Sequence, residues 1–535
     1  MKDVEVKVLK EHCRALAHMR TELEEKRFGL VLGAGVSKPL GFPQWKDLVE
    51  LIAAHKDVQG AHILASTGEE TPDTSKTQML FQHFRTKSIE QSEDEASRKL
   101  ERRIQGKWRR IIHEILYKDV PGDVVKLREK HPYIKDLVPI ILQSGMTVNY
   151  NFDDTIQQLV HLENKSLDTV WNAYLSFRSD TNTIYHPNGF LPRNLLDFPS
   201  DNIVFSEDSF ADQLIESMAG HHSSLVHHLS KTTCLFVGLS LDDATLRHLL
   251  RRSAVLNPGH YHYYIQYTPD ASKRDAETEQ AIRDANFEVY NLVTLFLNDA
   301  EIAALARLLV LDDHLYLRGI EENGADAKFF YYLTGAVGAG KTTALSYFGN
   351  FKTYDEWTEP RLPELAKSWK KLSDSEKEAI DEWVVRQFYL KNSALVERNS
   401  GIHVIDRTPL DPISFTSVDK MPQKATSMLE GMSPAASRRT AQPGHVIVLT
   451  GDAEDMEARV VGRHKESDAS DIAEMQKKLC QIFNNGEPRS EVHTLGLSIH
   501  EVVKRVARII LLDDYDPADI DATLNQIKNN GLQGT

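Results

Sequence analysis

Apolar positions recur at helical spacing over residues 3–26 and predict an amphipathic helix packed before the first strand. Short apolar runs follow at FGLVLG (28–33), GMTVNYNF (145–152), NIVFS (202–206), TCLFVGL (233–239) and YHYYIQY (261–267), and each is predicted as a strand. Helical stretches separate them, and strands alternating with helices predict a parallel α/β sheet. Residues 67–110 are strongly charged with weak periodicity and read as part of a helical insertion at about 55–135. A helix around 299–312 closes this first pattern. The polar stretch LRGIEENGADAK (317–328) carries a glycine and reads as a linker. A second α/β pattern then starts, with strands predicted at FFYYLTG (329–335), FKTYDEW (351–357), GIHVIDR (401–407) and GHVIVLTG (444–451). The expected division is a domain over 1–318, a linker over 319–328 and a domain over 329–535.

Composition changes this picture little. A chain of 535 residues is too long for one ordinary core, which agrees with two domains. A net charge of −15 argues against a general phosphate-backbone binder, so nucleic acid is not an expected partner, although a local basic pocket stays possible. Cys13, Cys234 and Cys480 are far apart and form no C-x-x-C, which excludes a disulfide framework and a four-cysteine zinc site. The charged start lacks the apolar core of a signal peptide, and no apolar run reaches the ~20 residues of a membrane span. A soluble, reducing, cytoplasmic setting is expected.

The clearest chemistry is GAVGAGKTT, Gly335 to Thr343, which satisfies G-x-x-x-x-G-K-[ST] between an apolar strand and a helix. Small residues at Gly335, Gly338 and Gly340 let backbone N–H groups curl round a phosphate. Lys341 adds charge at the β/γ oxygens, and the Thr342 hydroxyl can ligate Mg²⁺ beside Thr343. Further on, YDEWTEP carries Glu359 and Pro360, IHVIDRTP carries Asp406 and Arg407, and a helix after VIVLTG carries Arg459 and Arg463. Over roughly 329–512 these pieces resemble the deoxynucleoside kinase and thymidylate kinase group of P-loop proteins. The resemblance implies ATP or another nucleotide at the loop. It makes Glu359 a base, Arg407 a substrate contact, and Arg459 with Arg463 a lid over the phosphates. Taken as residues alone, the two arginines equally suit a solvated helix face, and Asp406 equally suits a magnesium partner.

The first half offers LVLGAGVSKPLGFPQW, a strand, a glycine turn and a new element. It starts like a dinucleotide-binding turn but lacks the third glycine of G-x-G-x-x-G. Three more clusters follow: TVNYNFDDT (147–155), IYHPNGFLP (184–192) and LFVGLSLDDATLRHLL (235–250). In this order the four resemble the Sir2-like family, in the branch found in bacterial antiphage defence. The resemblance implies a Rossmann-like domain in which NAD is a substrate whose nicotinamide–ribose bond is cleaved. Gly33, Ala34, Gly35 and Val36 would turn backbone amides to the pyrophosphate, with Ser37 adding a hydroxyl and Pro43, Trp45 and Asp153 as further NAD-binding residues. Asn151-Phe152-Asp153 matches the family's N-(I/Y/F)-D, so Asn151 would position water or ribose. His186 would be the base or a ribose contact, although the family's H-G histidine is here Asn188. Gly238 and Ser240 would hold NAD, while Asp242 and Asp243 either hold the adenosine ribose or cap a helix.

The absence of the zinc ribbon seen in protein-deacylating sirtuins favours plain NAD hydrolysis. HHSSLVHH (221–228) has the spacing of a partly exposed helix rather than a metal site, and His260 and His262 alternate onto one strand face. KWRR (107–110) is too short to imply nucleic acid. The resulting expectation is an NAD hydrolase of the antiphage type, homo-oligomeric and gated by a nucleotide- or deoxynucleotide-sensing P-loop domain. The alternative is a working nucleoside or nucleotide kinase with a regulatory NAD-binding domain.

Overall fold

The structure is a computed structural model. It describes the chain except residues 69, 93–97, 172–181, 197–202, 219–222, 242, 271–274, 367–371, 397–399, 432–440, 462–467, 484–488 and 532–535. Two compact units form: one from Met1–Leu9, Glu22–Leu256 and Tyr261–Tyr316, the other from Lys10–Thr21, Asn257–His260 and Leu317–Thr535. Among the described residues no helix is long and apolar enough to cross a membrane.

Among the described residues the first unit holds seven parallel strands. In chain order they are β1 (Phe28–Leu32), β2 (Met146–Asn149), β3 (Asp168–Val170), β4 (Thr183–Tyr185), β5 (Thr233–Val237), β6 (His262–Tyr267) and β7 (Leu292–Leu297). Their order across the sheet is β3-β4-β2-β1-β5-β6-β7. β1 is central because FGLVL is buried at every position, as a strand covered on both faces must be. The register places Leu32 beside both Asn149 and Val237, so three strands end level with one another. β3 and β4 are three residues long, too short to show as apolar runs, and the fully buried β7 was not predicted either. NIVFS is the converse. Residues 203–206 form no strand, because Val204 N–H donates to Asn188 O and Phe205 and Ser206 N–H donate to Ser209 Oγ. Asn202 lies outside the described residues. The charged stretch after β1 is helical, chiefly Asp73–Glu90 and Arg98–Leu116.

Among the described residues the second unit has five parallel strands: β8 (Lys328–Gly335), β9 (Lys352–Tyr354), β10 (Gly401–Asp406), β11 (His445–Thr450) and β12 (Arg489–His493). Their order is β12-β11-β8-β10-β9, so the strand carrying the glycine loop sits at the centre. β12 was not predicted because RSEVH is a largely polar edge strand. β9 ends at Tyr354, three residues before its predicted end. The expected linker is helical through Asn323, within the helix Asp313–Asn323. The predicted N-terminal helix is two helices, Asp3–Glu11 and Cys13–Glu24, and the segment Lys10–Thr21 packs in the second unit. There Arg14 donates to Tyr331 Oη (2.8 Å) and the His18 ring bonds Asn350 O (2.8 Å).

Candidate functional sites

In the first unit the loops after β1, β2 and β5 meet at the carboxyl ends of the strands, where open α/β sheets bind ligands. Two glycine turns are stitched backbone to backbone. Gly33 N–H donates to Val237 O (3.0 Å) and Gly35 N–H to Gly238 O (2.8 Å). A Cβ on Gly35 would stand 2.8 Å from Gly238 Cα, and Gly238 has φ +68° with Val36 N only 2.5 Å from where its own Cβ would lie. These glycines therefore serve loop-to-loop contact, which accounts for the missing third glycine of a dinucleotide turn. Gly238→Ala should cost about 2 kcal/mol or more, through left-handed strain plus the clash with Val36, and lower the melting temperature of the purified chain.

Gly33 and Gly35 donate as above and Val36 N–H donates to Gly33 O (2.9 Å), so three of the four expected amides are committed inside the protein. Ala34 is the exposed member of the turn.

Asn151 sits at the junction. Its Nδ2 donates to Gly33 O (2.9 Å) and Ser37 Oγ (3.1 Å), and Ser37 Oγ donates to Asp153 Oδ2 (2.9 Å). Asp153 is buried and also accepts from Thr155 N–H (3.0 Å); burial pushes its carboxyl above the usual range. Ser37 and Asp153 thus hold the frame rather than face a ligand. Asn149, two residues earlier, is buried and accepts Asn151 N–H (3.1 Å), shaping the turn, while Asn151 itself is half-buried.

His186 is fully buried. Its Nδ1–H donates to Asn151 O (2.8 Å) and its Nε2 accepts from Gln157 Nε2 (2.9 Å), and burial lowers its pKa to about 4. With both nitrogens engaged and the ring neutral, it holds the Asn151 backbone. Asn188 is equally buried, with Nδ2 3.4 Å from Tyr150 O and Oδ1 3.3 Å from Gln213 Nε2.

Trp45 packs beside this loop, its ring centroid 4.6 Å from Phe205 and 6.5 Å from Phe152, with Pro43 two residues before it. Ser240 is exposed. Asp243 Oδ1 accepts Leu246 N–H (2.9 Å) at the start of the helix Ala244–Leu256, so it is the cap of the two alternatives, and burial raises its carboxyl. Asp242 lies outside the described residues. His262, on β6, accepts Cys234 N–H at Nδ1 (3.2 Å) and packs in the core.

The sequence gives no sign of one member of this site. His131 Nε2–H donates to Val36 O (2.6 Å) while its Nδ1 faces the amides of Tyr133 and Ile134 (3.2 and 2.9 Å). Burial lowers its pKa to about 4, so a neutral ring pins the glycine turn from 95 residues away.

In the second unit β8 runs into the P-loop. Gly335, Gly338 and Gly340 take φ +149°, +86° and +95°, which side-chain-bearing residues rarely adopt. Lys341 opens the helix Lys341–Leu345, and its buried Nζ donates to Gly335 O (2.8 Å) and Ala336 O (3.0 Å). Burial, then the charge of Arg407, lowers its pKa to about 8. Thr343 follows on the same turn and its carbonyl accepts Ser346 Oγ (2.8 Å). Thr342 Oγ1 donates to Asp406 Oδ2 (2.8 Å), whereas Asp406 Oδ1 is buried with no partner among the described residues. A hydroxyl and an orphaned carboxylate oxygen side by side fit a hydrated Mg²⁺, a cation that prefers oxygen ligands and keeps waters.

Beneath the loop lies a charge cluster that sequence reading only partly found. Arg407, at φ +71°, donates from Nε to Glu356 Oε1 (2.6 Å) and from NH1 to Asp411 Oδ2 (3.0 Å). Asp411 Oδ1 also accepts from Thr334 Oγ1, Thr408 N–H and Thr408 Oγ1 at 3.0, 2.9 and 2.7 Å. Lys391, buried on the helix Asp374–Val396, donates to Glu356 O (3.0 Å) and Asp406 O (2.8 Å), and burial lowers its pKa to about 8. Burial works to raise the Glu356 carboxyl, but the charge and hydrogen bond of Arg407 overcome it and hold it below the usual range.

Glu359 is placed otherwise. Its carboxylate bonds Arg386 (2.9 Å) and Gln387 Nε2 (2.7 Å), and Gln387 Oε1 accepts the Thr358 and Glu359 amides (3.0 Å each). The carboxylate that meets Arg407 is Glu356, two residues past the end of β9, which the sequence reading did not single out. The signal that could have found it is YDEW, had β9 been ended correctly. Arg459 pairs with Asp455 (2.6 Å) four residues back on its own helix, and Arg463 lies outside the described residues.

Arg407→Ala would leave buried Asp411 without this cation and half-buried Glu356 with the looser Arg361 contact (3.6 Å), and should cost about 3 kcal/mol near pH 7. Because the folded Glu356 pKa is lowered, its contribution is present above the usual carboxylate range and is lost as pH falls below it. The difference between the two proteins should shrink in denaturant titrations run below about pH 4.

The family model of the SIR2-like domain matches residues 145–290. None of the curated proteins matches the chain. Among solved structures, deoxyadenosine kinase from M. mycoides with dCMP and dCDP bound is 17% identical, at TM-score 0.25, over 33% of this chain and 96% of that one. The same enzyme with dATP is 15% identical, at TM-score 0.27, over the same shares. Residues 145–290 are thus similar to a SIR2-like domain, in a chain whose second parallel α/β unit is built round a P-loop motif.

Proposed function

We propose that the seven-stranded unit hydrolyses NAD at the nicotinamide–ribose bond and that the P-loop unit binds a nucleotide with Mg²⁺ and controls that hydrolysis. The supporting observation is the Asn151 carboxamide, held through Nδ2 by Gly33 O and Ser37 Oγ at the ends of β1 and β2. Its Oδ1 is left to orient a ribose hydroxyl or a water. The C1′–N bond breaks, nicotinamide leaves with the bonding electron pair, water oxygen bonds C1′, and the water proton passes to solvent. His186, neutral and bonded on both sides, keeps the carboxamide in place and takes no proton.

Thr342 and Asp406 would hold Mg²⁺, which when bound would offset phosphate charge, and Lys341 would supply a further positive charge to the phosphates. The Sir2-like resemblance adds the setting: NAD depletion in the cytoplasm during antiphage defence, by a homo-oligomer, triggered by a nucleotide or deoxynucleotide.

Nicotinamide release from NAD by the full chain, with and without a panel of ribo- and deoxynucleotides, tests this reading. Release that depends on one nucleotide supports it. NAD binding with no release under any nucleotide overturns it. A second reading, a working nucleoside kinase with a regulatory NAD site, is favoured by the complete Thr342–Asp406 and Glu356–Arg407–Asp411 arrangement. Phosphate transfer from ATP to a deoxynucleoside would decide for it.

A further inference from the structure

The helix Arg98–Leu116 divides sharply. Its apolar side is fully buried, Trp108, Ile112 and Leu116 included, so it offers no face for inserting into lipid. Its other side exposes Arg98, Lys99, Arg102, Arg103, Lys107 and Arg110. The two acidic residues of the helix are turned to neighbours: Arg85 Nε donates to Glu101 Oε1 (2.7 Å) and Glu114 stands 3.8 Å from His55 Nε2. Among the described residues, Arg98, Lys99, Arg102, Lys107 and Arg110 form no hydrogen bond or ion pair.

We propose that this face docks on the phosphate backbone of a nucleic-acid duplex without reading its sequence. Residues 98 to 110 span about 18 Å of helix at about 1.5 Å per residue, so the six exposed cations come at one per ~3 Å. Duplex DNA carries one phosphate charge per ~3.4 Å of helix axis on each strand. A single small anion needs no such row. Four of the six are arginines, whose fork matches phosphate oxygens. Trp108 is buried, which leaves this row without the stacking ring that single-strand binders use and favours a duplex. The net charge of −15 does not oppose this, because at physiological salt charges beyond ~8 Å are largely screened.

Fluorescence anisotropy of a labelled 30-bp duplex with the full chain tests it. Binding at 50 mM salt should weaken about 10²–10³-fold by 200 mM, the slope expected for about five neutralised phosphates. Lys99→Glu, Arg102→Glu, Lys107→Glu and Arg110→Glu together should abolish it while leaving the melting temperature unchanged. If that variant loses its melting transition, the same four changed to glutamine carry the test, and full binding by them overturns the proposal. No duplex binding at 50 mM salt overturns it, as does tight binding of anionic vesicles or polyglutamate without duplex binding.

Discussion

Asn151→Ala should lower nicotinamide release by a factor of at least ~100, with the fold intact. The expected size is that of losing one preorganised positioning group at a reacting centre. Circular dichroism and melting should change little, because the half-buried side chain contributes two hydrogen bonds to its neighbours and both Gly33 and Ser37 keep others. Asn151→Asp should be no better, because a carboxylate cannot donate to Gly33 O and would lie beside Asp153.

The same site sets the pH profile. The His186 and His131 pKa values are lowered to about 4 by burial, so both rings are neutral above pH 6.5 and release should be flat from there to pH 8.5. An inflection near pH 6.5 that disappears in His186→Gln would return the ring to the role of base. The linkage runs toward acid: the unfolded histidines take protons first, so stability declines as pH falls from about 6.5 toward 4. Loss of activity in that window should accompany loss of fold, read by circular dichroism at each pH.

Lys341→Met should weaken nucleoside triphosphate binding by about 100-fold or more, measured by calorimetry with Mg²⁺ present. Lys341 is buried and, among the described residues, its Nζ is hydrogen-bonded to the Gly335 and Ala336 carbonyls and to no carboxylate, so phosphate oxygens would meet a cation poorly satisfied by its own protein. Its pKa of about 8 gives a second readout. Bound phosphates would raise it, so binding takes up protons, and affinity should fall as pH climbs above 8. Lys391 has the same direction and remains in the variant, so Lys341→Met should reduce this pH dependence without removing all of it. Calorimetry in two buffers of different ionisation heat would show the proton uptake directly. Equal affinity of the two proteins would remove the P-loop from the control proposed here.

Much of the architecture was legible because it is local. β1, β5, β6, β8, β10 and β11 are short apolar runs with glycine or polar ends, and a buried parallel strand has to look that way. The P-loop was legible for the same reason, since its glycine, lysine and threonine act within nine residues. Edges were not. β12 is mostly polar and β3 and β4 are three residues long, and they are strands only because a neighbour supplies the ladder. NIVFS fails in the opposite sense, apolar in pattern but with its amides taken by Asn188 O and Ser209 Oγ.

The candidate sites divide along the same line. The sequence by itself determined which residue types could serve: the glycines at 33, 35 and 238, Asn151, and the run from Gly335 to Thr343, each bound to a backbone shape that neighbours in the chain impose. Only the tertiary structure decided what each of them faces. It turned His186 inward between Asn151 and Gln157, brought His131 onto Val36, and set Glu356 against Arg407. Those choices depend on register between strands and on helices that arrive from tens of residues away. A side chain's protonation and reach follow from burial and from partners, and neither is a property of the residue's own stretch of sequence.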